Sequence, residues 1–286
     1  MIEIQTLKKK IAGVVIIYNP PKSLICNINS YINFVDTLII IDNSQHRNKA
    51  IINELNQNRK IIYNFSNKNI GIAKALNKAA NIAIQKKYNW LLTMDQDSKF
   101  NPGALNLMLE FIQKNNTETV GIVAPIQKNK LEKYPTHTAE YEEILSSMNS
   151  GNLINLNIYK KTGPYLEKLF IDYVDHEYCL KIKSYGYKII RINNAILYHN
   201  LGNLKKHASF LVTNHNEQRR FFITLNRLYV MNKYKKQFPI FYNICLRASI
   251  REFVFIILFE NRKYLKIKNI IKAIIHYNKN FKLDAK

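Results

Sequence analysis

The 286-residue chain is 47% hydrophobic with only 8 glycines and 7 prolines, which excludes a disordered or fibrous protein and allows one substantial core with a smaller appendage. Its net charge of +23 is uneven: residues 1–150 hold 18 Lys+Arg against 12 Asp+Glu, and residues 205–286 hold 18 against 4. An anionic partner, nucleic acid or membrane surface, is therefore to be sought at the C-terminal end.

In chain order, "IAGVVIIY" (Ile11 to Tyr18) is a continuous β-branched apolar run, as for a strand buried on both faces. The pair Pro20–Pro21 starts a helix with Leu24, Ile25, Ile28 and Ile32 on its apolar face. "TLIIID" (Thr37 to Asp42) and "KIIYNF" (Lys60 to Phe65) read as the next strands, and Ile72 to Lys86 as an amphipathic helix. "WLLTMD" (Trp90 to Asp95) is a fourth strand, 102–115 a helix, and Thr119 to Pro125 a fifth strand. Residues 126–150 read as irregular. A strand (Leu153 to Ile158), a helix (Val174 to Ser184) and a strand (Lys188 to Leu197) follow, and from about 208 the pattern is helical and basic. This alternation implies an α/β fold with a mostly parallel sheet.

The N-terminal apolar run is short and β-rich and lacks a small-residue cleavage site, so no signal peptide is expected. No apolar stretch reaches membrane-span length; Phe253 to Phe259 comes nearest, flanked by Arg251, Glu252 and Glu260. Cys26, Cys179 and Cys245 are widely spaced, which argues against a disulfide framework or zinc site and for a reducing compartment. A cytoplasmic protein is expected.

Ligands of parallel α/β sheets bind beyond the C-terminal strand ends. Polar residues follow several strands here: Asn19, Asp42-Asn43-Ser44, Asn67 to Asn69, and Asp95-Gln96-Asp97. Two carboxylates one residue apart repel each other, and a divalent cation relieves that while also binding phosphate oxygens. The alternatives are a turn whose carboxylate caps the helix near Pro102, or an aspartate-nucleophile phosphatase, which places the same motif nearer the chain start.

"IIYNP", "IIIDNS", "NKNIGIAKALNKA", "LLTMDQDS", "MNSGNLIN", "LFIDYVDHEYCLKIKSYGY" and "LYHNLG" occur in this order over about residues 11–235. Together they resemble a family 2 inverting glycosyltransferase with the GT-A fold, a Rossmann-like sheet flanked by helices, and within it the rhamnosyltransferase-like branch. The resemblance implies a catalytic domain over 1–207, with a nucleotide-sugar half (about 1–125) and an acceptor half (about 126–207), followed by a basic amphipathic helical region over 208–286. Asp95, Asp97 and His199 would hold Mg²⁺ or Mn²⁺. Asn19, Asp42, Asn43, Asn69, Gly71, Lys74, Asn77, Asp95 and Gln96 would form the donor site, with Gly71 allowing close backbone approach. Lys74 could equally face solvent. Asp175 would be the general base, with Asp172 as the less favoured alternative. Val174 stands where the family commonly has Glu. Ser150, Gly151, Asn152, Asp172 and Glu177 would lie on the acceptor side, and Lys181 could pair with Glu177 at i, i+4.

The implied activity is transfer of a sugar, with rhamnose from dTDP-rhamnose as the leading donor and a UDP-sugar as the alternative, to a glycan or lipid-linked acceptor in surface-polysaccharide biosynthesis. The basic, aromatic C-terminal segments, among them Arg219 to Phe238 with Phe222, Leu225, Leu228 and Tyr229 on one face, are expected to dock on the inner face of the cell membrane, the alternative being that they pack on the catalytic domain. A non-catalytic nucleic-acid-binding protein is the rival class. The chain shows none of the recognised nucleic-acid motifs, so no nucleic-acid partner is expected.

Overall fold

The computed structural model describes residues 10–128, 138–199, 205–207, 210–212 and 214–282. Asn200 to Gly202 of "LYHNLG", the N-terminal nine residues and part of the 126–150 segment lie outside them.

Strands β1 (Ile11–Ile17), β2 (Thr37–Asp42), β3 (Ile61–Phe65) and β4 (Trp90–Asp95) are parallel and lie in the order β3-β2-β1-β4. Their apolar runs are continuous because successive residues enter different cores. Ala12, Val14, Ile16 and Leu91 belong to one hydrophobic cluster, and Val15, Ile17, Trp90 and Leu92 to the other. Helix α1 (Leu24–Asn29) follows the Pro pair, and α2 (Lys49–Leu55), which the sequence reading did not identify, follows β2. Helix α3 (Ile72–Gln85) lays Ala73, Ala75, Ala79, Ala80 and Ala83 on the sheet, where small side chains permit close approach.

The second half departs from the all-parallel pattern. After β5 (Ser98–Phe100), α4 (Ala104–Lys114) and β6 (Val120–Lys128), a short strand β7 (Tyr141–Glu143) lies in the segment expected to be irregular. Strand β8 (Asn152–Asn155) inserts antiparallel between β4 and β6. The strand expected over Leu153 to Ile158 is thus cut short. Asn155 turns its side chain to the backbone N–H groups of Asn157 and Ile158 and caps α5 (Leu156–Thr162). Helix α6 (Val174–Ser184) leads to the long strand β9 (Lys188–His199), which pairs parallel with β6 and antiparallel with β5 and β7. The full order is β3-β2-β1-β4-β8-β6-β9-β5, with β7 on β9.

A two-stranded hairpin, β10 (Lys205–His207) with β11 (Phe210–Val212), stands where helix was expected to begin. Helices α7 (Glu217–Lys233), α8 (Pro239–Phe259) and α9 (Lys263–Asn280) complete the described chain. Helix α7 is an internal element: Leu225, Tyr229 and Val230 are buried in the same cluster as α3 and α6. Its apolar face is therefore covered by protein, so the membrane docking expected for the Arg219 to Phe238 segment is corrected for α7, which packs on the catalytic domain instead. The acids of α7 and α8 are paired within the tail. Arg220 joins Glu252 and Glu260, Lys266 meets Glu260 at 2.8 Å, and Arg262 meets Glu217 at 3.1 Å. Among the described residues no helix is long and apolar enough to cross a membrane.

Candidate active site

The parallel register aligns the strand ends. Ile17 pairs with Asp42, Asp42 with Phe65, and Ile16 with Asp95, so the polar residues that follow these strands share one edge of the sheet. Gln96 ties two of the ends together: its side chain accepts from Tyr18 N at 3.0 Å and donates to Tyr18 O at 3.2 Å. Asn19, with φ +45°, donates its backbone N–H to Ser44 Oγ at 2.8 Å. Asp42 is buried and accepts from Ser44 N at 2.9 Å and from Tyr63 Oη. Burial, then the bond to Asp42, raises the Tyr63 hydroxyl pKa well above its ordinary value, so it stays a donor. Asn43 is also buried; its amide N–H points at Asn69 and Gly71 O, while its carbonyl oxygen has no partner. Asn69 accepts from Gly71 N at 3.0 Å.

Asp95, Asp97 and His199 offer ligand atoms that all lie within 4.8 Å of one another. Separated by more than a hundred residues, His199 and the aspartates meet because β5 runs antiparallel to the end of β9, with Ser98 opposite His199. Ser98 Oγ lies 2.6 Å from His199 Nδ1, which orients the ring, and Asp97 Oδ1 lies 3.5 Å from the same nitrogen. Burial pushes the Asp95 carboxyl up to about 6; His199 opposes this and Asp97 reinforces it. Two hard carboxylates and an imidazole, with one carboxyl destabilised as an anion, fit a divalent cation such as Mg²⁺ or Mn²⁺.

Asp175 lies in the first turn of α6, where the helix N-terminus favours a carboxylate. Asp172 and Tyr173 before it both adopt left-handed backbone conformations (φ +62° and +64°), a strained pair for non-glycine residues. Helix α7 holds them. Arg219 takes both oxygens of Asp172 (3.0 and 3.3 Å), Asn226 donates to Ile171 O and Asp172 O, and Arg227 Nε donates to Tyr173 Oη at 2.7 Å. Asp172, expected on the acceptor side or as the alternative base, is thereby an ion-pair partner of Arg219.

Asn149 was not singled out by the sequence reading, yet it links the two centres. Its side chain donates to Asp95 Oδ1 at 3.3 Å and its backbone N–H to Asp175 Oδ2 at 3.1 Å. The signal available was its place in "MNSGNLIN", one residue before the expected trio. That trio is engaged locally. Ser150 Oγ accepts from Asp95 N at 3.0 Å. Gly151 (φ +86°) would drive a Cβ to 2.7 Å from Pro125 Cγ. Asn152 closes its own loop through Met148 O and Ser147 Oγ.

Asn77 and Glu177 have different surroundings from those anticipated, and Lys74 takes the solvent-facing one of its two expected placements. Asn77 has all four amide valences satisfied by Tyr159, Tyr165 and Glu167, tying α3 to the segment before α6. Glu177 is fully buried against α7, 2.6 Å from Lys233 and 3.0 Å from Tyr234, with Lys181 farther at 3.9 Å. Lys74 is exposed on the first turn of α3. The close approach at Gly71 (φ +81°) is to protein, since a Cβ there would lie 2.7 Å from Phe170 O.

Comparison with known proteins agrees with this architecture. Residues 14–175 match the model of the family "Glycosyl transferase family 2". The chain is 25% identical over 269 residues to the dTDP-rhamnosyl transferase RfbF of Shigella flexneri, covering 87% of this chain and 86% of that protein. Among solved structures it resembles GalNAc-T7, crystallised with UDP, GalNAc and Mn²⁺, with a TM-score of 0.62 at 13% identity over 81% of this chain. It spans about half (49%) of that protein's length. It also resembles residues 1–349 of S. aureus TarS, with a TM-score of 0.55 at 14% identity, covering 95% of this chain and 72% of that one. These two likenesses concern the fold. The family match takes in more than half of the chain, and the protein belongs to glycosyl transferase family 2, as a nucleotide-sugar glycosyltransferase of the inverting class.

Proposed function

We propose that the protein transfers rhamnose from dTDP-rhamnose to a glycan or lipid-linked acceptor in surface-polysaccharide biosynthesis, with Asp95, Asp97 and His199 holding the metal and Asp175 acting as base. The observation that carries this reading is the pair of linked centres: a cation-ready cluster at the β4 and β9 ends, and an aspartate joined to it through Asn149. The donor choice is supported by the likeness to the dTDP-rhamnosyl transferase over most of both chains.

Asn19, Asp42, Asn43, Asn69 and Gln96 border the nucleotide side. Asp95, Asp97 and His199 would hold a divalent metal, Mg²⁺ or Mn²⁺, which would supply positive charge to the diphosphate leaving group. Asp175 takes the acceptor hydroxyl proton while the acceptor oxygen bonds to the anomeric carbon and the carbon–diphosphate oxygen bond breaks. Configuration inverts in this single displacement, and no enzyme nucleophile is needed. Ser150 holds the Asp95 backbone, Gly151 and Asn152 shape the loop that carries Asn149, Asp172 ties the start of α6 to Arg219 of α7, and Glu177 anchors α6. In this reading the enzyme works on the inner face of the cell membrane, and the helices of the tail supply the contact.

The test is turnover of Asp175→Asn with dTDP-rhamnose, and with UDP-sugars in parallel. The variant is expected to bind nucleotide as the parent does and to transfer at a rate at least about a hundredfold lower, the scale of a positioned general base. Transfer at the parental rate would overturn the base assignment, and transfer only from UDP-sugars would overturn the donor.

A further inference from the structure

Helix α8 meets the rest of the protein along one narrow stripe. Phe241, Cys245 and Ile256 are buried on it, Ser249 Oγ accepts from Arg227, and Glu252 pairs with Arg220 and Arg227. These positions, spaced four, four, three and four residues apart, define one side of the helix. The remaining surface is apolar and open. Ile240 is 69% exposed and Ile250 and Leu258 are each 60% exposed, with Ile244, Val254 and Ile257 between them. Soluble surfaces scatter such residues singly, whereas a continuous stripe marks a docking face.

The charges on that face select its occupant. Arg247 and Arg251, one turn apart, are exposed within it, and no acid accompanies them. The two acids at hand, Glu252 and Glu260, are held by Arg220, Arg227 and Lys266. A second copy of the chain placed face to face would oppose arginine to arginine without a carboxylate, a like-charge contact that disfavours self-association. A bilayer interface accepts both features, because arginine stems lie along apolar surface while their heads reach lipid phosphates. Helix α9 adds cations of the same kind: Lys263, Lys268, Lys272 and Lys279 are exposed, and it carries no acidic residue.

We propose that α8 lies in the interfacial layer of an anionic bilayer, with its Ile240-to-Leu258 face against the acyl boundary and Arg247 and Arg251 on lipid phosphates. This inference makes specific the membrane contact of the functional reading. It assigns that contact to α8 and not to α7, whose apolar face is covered. Because it is read by lipid binding, it stands or falls separately from the transfer reaction.

The experiment floats the full-length protein on phosphatidylcholine vesicles with and without phosphatidylglycerol. Flotation is expected only with the anionic lipid. The double variant Ile250→Asp/Val254→Asp, both exposed, is expected to keep the parental melting temperature and weaken vesicle binding by about tenfold or more. Arg247→Gln/Arg251→Gln is expected to erase the preference for anionic lipid. In Ile250→Trp, the new indole is expected to shift blue and be quenched by brominated lipid, against the buried Trp90, the chain's single native tryptophan. Absence of flotation, or flotation that the Asp variant leaves intact, would overturn the proposal. So would self-association in sedimentation that the Asp variant dissolves, which would assign the face to a second copy.

Discussion

Asp95 and Asp175 share a hydrogen-bonding neighbour. Asn149 donates to Asp95 Oδ1 from its side chain at 3.3 Å and to Asp175 Oδ2 from its backbone at 3.1 Å. The end of the central strand β4 and the first turn of α6 are thus set against each other by one residue of the turn before β8. A misplacement of that turn moves Asp95 and Asp175 together.

Removing the side-chain half of this link has a defined consequence. Asn149→Ala loses a hydrogen bond to a charged group, worth about 1.5–3 kcal/mol. Transfer is expected to fall by roughly ten- to a hundredfold, while the backbone bond to Asp175 is retained. Steady-state kinetics beside a melting curve check this. Parental turnover in a folded variant would show that the link carries no catalytic weight.

Ser98 and His199 form a second testable pair, because the hydroxyl 2.6 Å from Nδ1 fixes how the imidazole faces the two aspartates. Ser98→Ala is expected to weaken Mn²⁺ binding by about ten- to a hundredfold, the usual cost of losing a partner that orients a metal ligand. His199→Ala should weaken it more. Calorimetric titration of metal in the presence of nucleoside diphosphate reads both, and unchanged affinity in His199→Ala would remove the histidine from the metal site.

His215 provides a pH prediction independent of catalysis. Burial first, then Arg219, Arg220 and Lys266, lowers its pKa to about 3 from an ordinary 6.5. The folded state therefore holds His215 neutral where the unfolded chain protonates it. Stability from this residue is complete above about pH 6.5 and is lost as pH falls toward 3. His215→Gln should flatten the decline in melting temperature between pH 6.5 and 4 by up to about one proton's linkage, roughly 1.4 kcal/mol per pH unit at most before solvent screening reduces it. Parallel curves for the two proteins would contradict the assignment.

What was legible in the sequence was local. The four parallel strands and α3 follow from uninterrupted β-branched runs and a helical apolar period. Asp95 and Asp97 stand out because two charges terminate a buried run. What was not legible depends on pairings between distant segments. Nothing in "NLINLNIYK" says that Asn155 will cap a helix and leave β8 antiparallel between β4 and β6. Asn149 and Asn152 are the same residue type three positions apart, and only the fold decides which faces Asp95 and which closes a loop. Glu177 looked like a site acid until Lys233, 56 residues later, claimed it. The apolar content of α8 was visible, but which stripe α7 covers was not.

The most direct test of the central claim, that Asp95 and Asp97 hold a cation that holds a diphosphate, is isothermal titration of dTDP with Mn²⁺, with Mg²⁺ and with chelator, on the parent and on Asp97→Ala. Binding that requires the metal, and is lost in the variant without a change in folding, is the expected result. Equal affinity for dTDP with and without metal, or full metal-dependent binding by Asp97→Ala, would contradict it.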